Sequence, residues 1–108
     1  MFIIKQNDNL PSMEVQFLDP EGNPLNLELC GVRFHMMNSA GEVVLNKEVV
    51  VTDVQNGKVK VPWLDGETSE PGLFLGEFKI NLPDGNRLTI PNSGYFRISI
   101  VSEVPYKE

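Results

Sequence analysis

The residues of this chain that carry chemistry are few in kind. One cysteine, Cys30, and one histidine, His35, stand five positions apart, with no second thiol or imidazole to partner either. A nucleophilic thiol needs a neighbouring base, and on one strand an odd spacing points two side chains to opposite faces. Cys30 therefore reads as an inert, partly buried thiol, and a lone cysteine excludes an intrachain disulfide. A zinc site takes about three or four His, Cys, Asp or Glu ligands at short spacings, which one histidine and one cysteine do not furnish. Asp19 and Glu21 suggest a calcium loop, but no glutamate follows at the distance that would close it, so a turn is the expected role. No glycine cluster lies between a strand and a helix to cradle phosphate. Acid–base catalysis needs two titratable groups converging in a water-poor cleft. Only Glu77 is flanked on both sides by long apolar runs, and a solvated strand face is its expected setting. No catalytic residue, metal ligand or cofactor is assigned, and the chain is expected not to be an enzyme.

What remains is recognition by surface, and charge restricts the partners. Nine Lys and Arg against fifteen Asp and Glu give a formal charge of −6, which repels phosphate backbones and anionic bilayers. Nucleic acid and membrane are therefore not expected as partners. No uncharged apolar run approaches the roughly 20 residues of a membrane span, and the N-terminus has no basic region followed by an apolar stretch, so no secretion signal is expected. At 108 residues the chain has the length of one domain, 1–108, organised around one core.

The elements that position these residues read as strands. Met13, Val15 and Phe17 alternate with Glu14 and Gln16; Val32, Phe34 and Met36 alternate with Arg33 and His35. Val59, Val61 and Trp63 alternate with Lys58 and Lys60, and Phe96, Ile98 and Ile100 with Arg97 and Ser99. Over 74–82, Phe74, Gly76, Phe78, Ile80 and Leu82 share one face, while Glu77, Lys79 and Asn81 share the other. Period two is the mark of a half-buried strand; a helix would scatter these residues around its axis. The spacing predicts strands at 2–5, 13–19, 25–27, 31–38, 42–54 with a break near Asn46, 57–63, 73–82, 87–90 and 94–102. Turn chemistry separates them. Asn56-Gly57 suits a two-residue type I′ hairpin, and Pro83-Asp84-Gly85-Asn86 a type I turn with glycine in the left-handed position. Asp19-Pro20-Glu21-Gly22-Asn23 and Asn38-Ser39-Ala40-Gly41 supply two more reversals.

Reversals every 8 to 12 residues over about 100 residues are the pattern of an all-β, immunoglobulin-like antiparallel β-sandwich of seven to nine strands, with a small closed barrel as its competitor. The inward residues Phe17, Phe34, Trp63, Phe78, Phe96 and Ile98 are the expected core, with Trp63 at its centre. Burying six large side chains contributes on the order of 10–15 kcal/mol before chain entropy is subtracted. The polar stretch 64–72, rich in acid, glycine and proline, is expected to be a solvated crossover, and the tail from Ser102 to fray. Tyr95 and Tyr106 are available as amphipathic anchors for a protein or sugar contact, with a ring at the edge of the core and its hydroxyl in water as the commoner expectation.

The ordered motifs resemble those of a family: the immunoglobulin-like N-terminal domain of phage baseplate upper proteins, and small phage structural proteins built from the same module. The resemblance spans about 4–100. It opens with Ile4-Lys5-Gln6-Asn7-Asp8-Asn9-Leu10-Pro11 and continues through Val15-Gln16-Phe17-Leu18-Asp19 and Gly22-Asn23-Pro24. Val32-Arg33-Phe34-His35-Met36 and Gly57-Lys58-Val59-Lys60-Val61-Pro62-Trp63 follow. Its most specific part is Pro71-Gly72-Leu73-Phe74-Leu75-Gly76-Glu77-Phe78, before Asp84-Gly85, Thr89-Ile90-Pro91-Asn92 and Gly94-Tyr95. Phe74 stands where the family commonly has Tyr, losing a hydroxyl contact while keeping the packing, and Asn7 replaces a usual Gly. The helical and trimerising parts of baseplate upper proteins have no counterpart here, so only the module carries over. The resemblance implies a non-enzymatic virion structural protein of a phage or prophage, of tail, baseplate or decoration position, assembled in the bacterial host cytoplasm. Its expected partners are other virion proteins, with homo-oligomerisation as an option. An edge strand and loops would make the contact, drawn from the opening segment 2–10 and the acidic loop 64–70. The candidate docking residues are Phe2, Ile4, Leu10, Tyr95, Glu67 and Glu70. The alternative is a carbohydrate-binding or cell-surface adhesion module, for which Tyr95 is the available aromatic.

Overall fold

The computed structural model describes residues 1–104. Among these there is no helix; nine strands form two sheets that pack as a β-sandwich. The strands are β1 (Phe2–Lys5), β2 (Met13–Gln16), β3 (Gly31–Met37), β4 (Val43–Glu48), β5 (Val50–Asp53), β6 (Lys58–Val61), β7 (Gly72–Asn81), β8 (Arg87–Ile90) and β9 (Phe96–Val101). Six belong to one sheet in the order β1-β9-β7-β3-β4, with β8 also paired to β7; the other sheet is β2-β6-β5. The ten-residue β7 organises the larger sheet. Its first half pairs with β9 and its second half with β8, while β3 runs along its other side. All pairings are antiparallel except β1 with β9, which is parallel from Phe2↔Ile98 to Lys5↔Val101 and departs from the wholly antiparallel expectation.

Alternation places the core as expected. Phe17, Phe34, Trp63, Phe78 and Ile98 are buried between the sheets, while Phe96 is only half-buried, packed at the margin of the cluster. The aromatic rings form a connected stack: Phe34 meets Phe78 at 5.2 Å and Trp63 at 6.2 Å, and Phe78 meets Phe17 at 5.1 Å and Phe96 at 5.4 Å. Gly76 makes room for this stack. A Cβ built there would lie 2.7 Å from Cε1 of Phe34, so the absent side chain is the space that the Phe34 ring occupies.

Three reversals share one geometry: Asp19 N–H to Asn23 O at 2.7 Å, Asn38 N–H to Glu42 O at 2.9 Å, and Leu82 N–H to Asn86 O at 2.8 Å. The glycine of each, Gly22, Gly41 and Gly85, sits at positive φ. Asp19 spends its Oδ1 on the amides of Glu21 and Asn23, a turn role and not a cation role.

Several boundaries differ from the sequence reading. The 25–27 segment forms no strand; Leu18 and Pro24 meet in a lone bridge instead. The long 42–54 segment breaks at Val49, not Asn46, and its halves join different sheets, β4 to β3 and β5 to β6. Asn56-Gly57 is not a two-residue turn, since Asp53 pairs with Lys58 across a four-residue loop in which only Gly57 has positive φ. The reason is a close backbone approach. Phe17 N–H donates to Gly57 O at 2.8 Å, and a Cβ on Gly57 would stand 2.6 Å from Leu25 O.

Candidate functional site

The sequence-assigned docking residues do not gather in one place. Ile4 points into the core and is unavailable to a partner, because its face of β1 is covered by the sandwich. Phe2 is half-buried, stacked on Trp63 at 5.8 Å between ring centroids. Leu10 is exposed in the loop after β1, and Tyr95 is exposed just before β9. Tyr106 lies outside the described residues.

The 64–71 loop is only partly solvated, contrary to expectation. Thr68 is buried, and its hydroxyl donates to Asp8 O at 2.9 Å. Glu67 is held as an internal partner: its Oε1 accepts from Lys47 Nζ at 2.6 Å and from the Leu64 amide at 2.7 Å. Lys47 points inward from β4, opposite Phe34, over the Trp63 ring, and also donates to Pro62 O. With side-chain exposures of 14% and 18%, the pair pins the loop to the open side of the sandwich. Sequence reading missed this contact because Lys47 and Glu67 meet only after the chain has changed sheets. Glu70 is exposed on the rim of a groove of about 500 Å³ that Glu67, Pro71 and Phe74 also line. That groove offers little chemistry, because Lys47 already neutralises the buried carboxylate within it.

Two titratable groups elsewhere are shifted by their surroundings. Burial, with the Asp84 charge second, pushes the Cys30 thiol above its ordinary value, which suppresses the reactive thiolate. Hydrogen bonds from the Asn56 side chain and backbone hold the Asp53 carboxyl below the ordinary aspartate value. Among the described residues, no group of three or more His, Cys, Asp or Glu is placed to hold a metal ion.

The distinctive surface is the outer face of the six-stranded sheet, which is divided in two. Toward the β8 end its side chains are charged and mutually engaged. Lys79 meets Glu77 at 3.1 Å, and Arg33 donates to the Asn46 side chain at 2.8 Å and lies 3.8 Å from Glu48. Toward the opposite end the same face is mostly apolar, with Arg97, Ser99 and Lys5 as its polar members. One row crosses the sheet as Arg97–Leu75–Met37–Val43 and the next as Ile3–Ser99–Leu73. Ile3, Leu73 and Val43 are 58%, 63% and 64% exposed. Tyr95 borders a dimple of about 120 Å³ shared with Leu75, His35 and Val43, which joins it to this apolar half.

The signal for this patch was present in the sequence as a failure of alternation. Phe2-Ile3-Ile4, Met36-Met37, Val43-Val44-Leu45 and Leu73-Phe74-Leu75 each place apolar residues on both faces of a strand. Only the register brings all four to one end of one sheet. Contiguous exposed apolar surface is a common feature of contact sites.

No family model matches the chain, and no curated protein matches it. Solved structures share its fold, among them the following two. The N-terminal domain of phage TP901-1 ORF48 is 23% identical, with a TM-score of 0.65, over 95% of this chain and 85% of that one. CopC from Methylosinus trichosporium OB3b is 9% identical, with a TM-score of 0.59, over 98% of this chain and 88% of that one. Identities this low establish the likeness of the fold alone.

Proposed function

We propose that the chain is a non-enzymatic structural module of a phage or prophage virion, of tail or baseplate position, which works by packing its outer sheet face against another virion protein. The observation that carries this reading is the apolar half-face built by Ile3, Leu73, Leu75, Met37 and Val43, beside exposed Tyr95. A lone domain gains nothing by exposing that surface, whereas burial in an assembly contributes roughly 25 cal/mol per Å². The fold likeness to a phage protein domain over 95% of the chain supports the virion setting, as does the order of the motifs from Ile4 to Tyr95.

The test is mass spectrometry of purified particles from a phage or induced prophage that encodes the chain, made with the wild type and with a Leu73→Glu, Leu75→Glu variant. The wild type is expected in the particles. The variant is expected to fold, because both changes lie on the solvent side of β7, and to be missing from them. Absence of the wild type from intact particles would sink the reading.

A further inference from the structure

We infer that the free edge of β1 is a strand-addition site, which takes an extended segment of a partner protein that sets an apolar side chain between two acidic ones on one face. This names the partner chemistry for the packing surface proposed above and rests on that reading.

Backbone geometry makes the first part of the case. β1 ends the larger sheet, with β9 as its one neighbour. The Gln6 amide donates to Val101 O on β9 at 2.7 Å, and the next amide, Asn7, turns away to Thr68 O at 3.0 Å. Amide direction alternates along a strand. Carried back from Gln6, that alternation aims Phe2 and Ile4 at β9 and aims Ile3 and Lys5 outward, where no strand among the described residues receives them. The Lys5 carbonyl accepts the Asp8 amide at 3.1 Å, which leaves the Ile3 amide and carbonyl and the Lys5 amide for a partner. The C-terminal end of β1 is clamped to the 64–71 loop through Gln6, Asn7 and Asp8, so the edge is held ready.

Comparison with the other sheet edges makes the second part. Soluble proteins blunt edges with bulges, inward charges and charged side chains. β4 has a register shift at Met36/Met37, the inward Lys47, and an Asn46 carbonyl taken by Arg33 at 3.2 Å. β5 has a register shift between Val51 and Asp53, and β2 carries Glu14 in mid-strand. β8 also pairs without a shift and has its one charge at its end, Arg87, but its Leu88, Thr89 and Ile90 are half-buried. β1 pairs without a shift along its whole length, its only charge is the terminal Lys5, and its outward Ile3 is 58% exposed.

Charge sets the partner's chemistry. The outer-face rows that reach β1 and β9 are Lys5–Val101, Ile3–Ser99–Leu73 and Arg97–Leu75–Met37–Val43. Their only charged members are Lys5 and Arg97, both basic, on a chain whose net charge is −6. Ile3, Lys5 and Arg97 lie on the same outer face, so an added strand would set an apolar side chain beside Ile3 and, two residues to either side on that face, carboxylates toward Lys5 and Arg97.

The probe is a capped peptide of sequence Thr-Glu-Thr-Val-Thr-Glu-Thr, titrated into the ¹⁵N-labelled full chain, with the same peptide carrying lysine in place of glutamate as its control. The glutamate peptide is expected to shift the amides of Ile3, Lys5, Ser99 and Leu73 and to weaken as salt is raised; the lysine peptide is expected to do neither. Ile3→Pro deletes an outward N–H without touching the β1–β9 bonds, and should weaken binding at least about tenfold. If that variant does not fold, Lys5→Glu with Arg97→Glu should invert the preference in favour of the lysine peptide. No binding, equal binding of both peptides, or shifts centred on β4 or β5 would overturn the inference. Failure here, with Leu73→Glu, Leu75→Glu still excluded from particles, would leave the packing-face reading standing. Peptide binding by a protein absent from particles would do the reverse.

Discussion

Gly76→Ala tests whether the aromatic stack is seated as described. The added methyl would meet Phe34 Cε1 at 2.7 Å, Phe34 Cζ at 3.0 Å and Ile98 Cδ1 at 3.0 Å. Phe34 and Ile98 are both fully buried, and the Phe34 ring is wedged between Phe78 and Trp63, so neither side chain has an empty direction to move into. Overpacking of this kind costs about 1–3 kcal/mol, while removing glycine's conformational freedom from a strand returns about 0.5–1 kcal/mol. The clash wins, and a net loss of about 1–2 kcal/mol is expected. For a domain near this size that lowers the melting temperature by roughly 5–15 °C. Thermal melts by circular dichroism and urea titrations measure it, and the urea midpoint should fall with the slope unchanged. Phe34→Leu removes the ring atoms nearest the new methyl, so adding Gly76→Ala to that variant should cost less than in the wild type, by about 0.5 kcal/mol or more. A Gly76→Ala protein that melts at or above the wild type, or strictly additive costs, would refute the placement of Phe34 over Gly76.

Other outcomes follow from the same structure. Gly57→Ala should be costlier than Gly76→Ala, since its Cβ would strike the carbonyls of Leu25 and Phe17, and its φ of 66° suits glycine; a urea midpoint closer to wild type than that of Gly76→Ala would count against this. Lys47→Met should destabilise by about 1–3 kcal/mol by leaving Glu67 without its cation, and Glu67→Gln in the same chain should recover part of the loss, read as a double-mutant cycle. Asp53 has a depressed folded-state pKa, so its contribution is present above the ordinary aspartate value and lost as pH falls toward the lower folded one. Asp53→Asn should therefore flatten the acid arm of the stability curve below about pH 4, measured by urea titration at a series of pH values. Cys30, with its pKa raised, should be alkylated by iodoacetamide at pH 8 more slowly than free cysteine, followed by mass spectrometry.

Strands, turns and core were legible because each rests on neighbours in sequence. Phe74, Phe78 and Ile80 declare their shared face by spacing alone, and Pro83-Asp84-Gly85-Asn86 declares its reversal by the conformations those residues tolerate. The candidate site was legible only as a defect. The apolar triplets break alternation, but nothing local says that they align, or that Ile4 faces inward while Ile3 faces out. Glu67 reads locally as a free acid on a polar loop, because its partner Lys47 is twenty residues away on β4 and reaches it only once β4 and the loop are brought together by the fold.

The sequence by itself determined the dry side of the strands that alternate cleanly, β2, β3, β6 and β9 and the 74–80 part of β7, and the reversals at 19–23, 38–41 and 83–86. Tertiary structure decided the rest: the sheet to which each half of 43–53 belongs, the parallel seating of β1 against β9, and the gathering of Ile3, Leu73, Met37 and Val43 into one surface. The division follows range. Backbone preference and side-chain direction are set within a few residues, whereas pairing joins positions such as Phe2 and Ile98 by hydrogen bonds that any extended strand can offer. Choice among partners therefore falls to the packing of the whole core, which no local window contains.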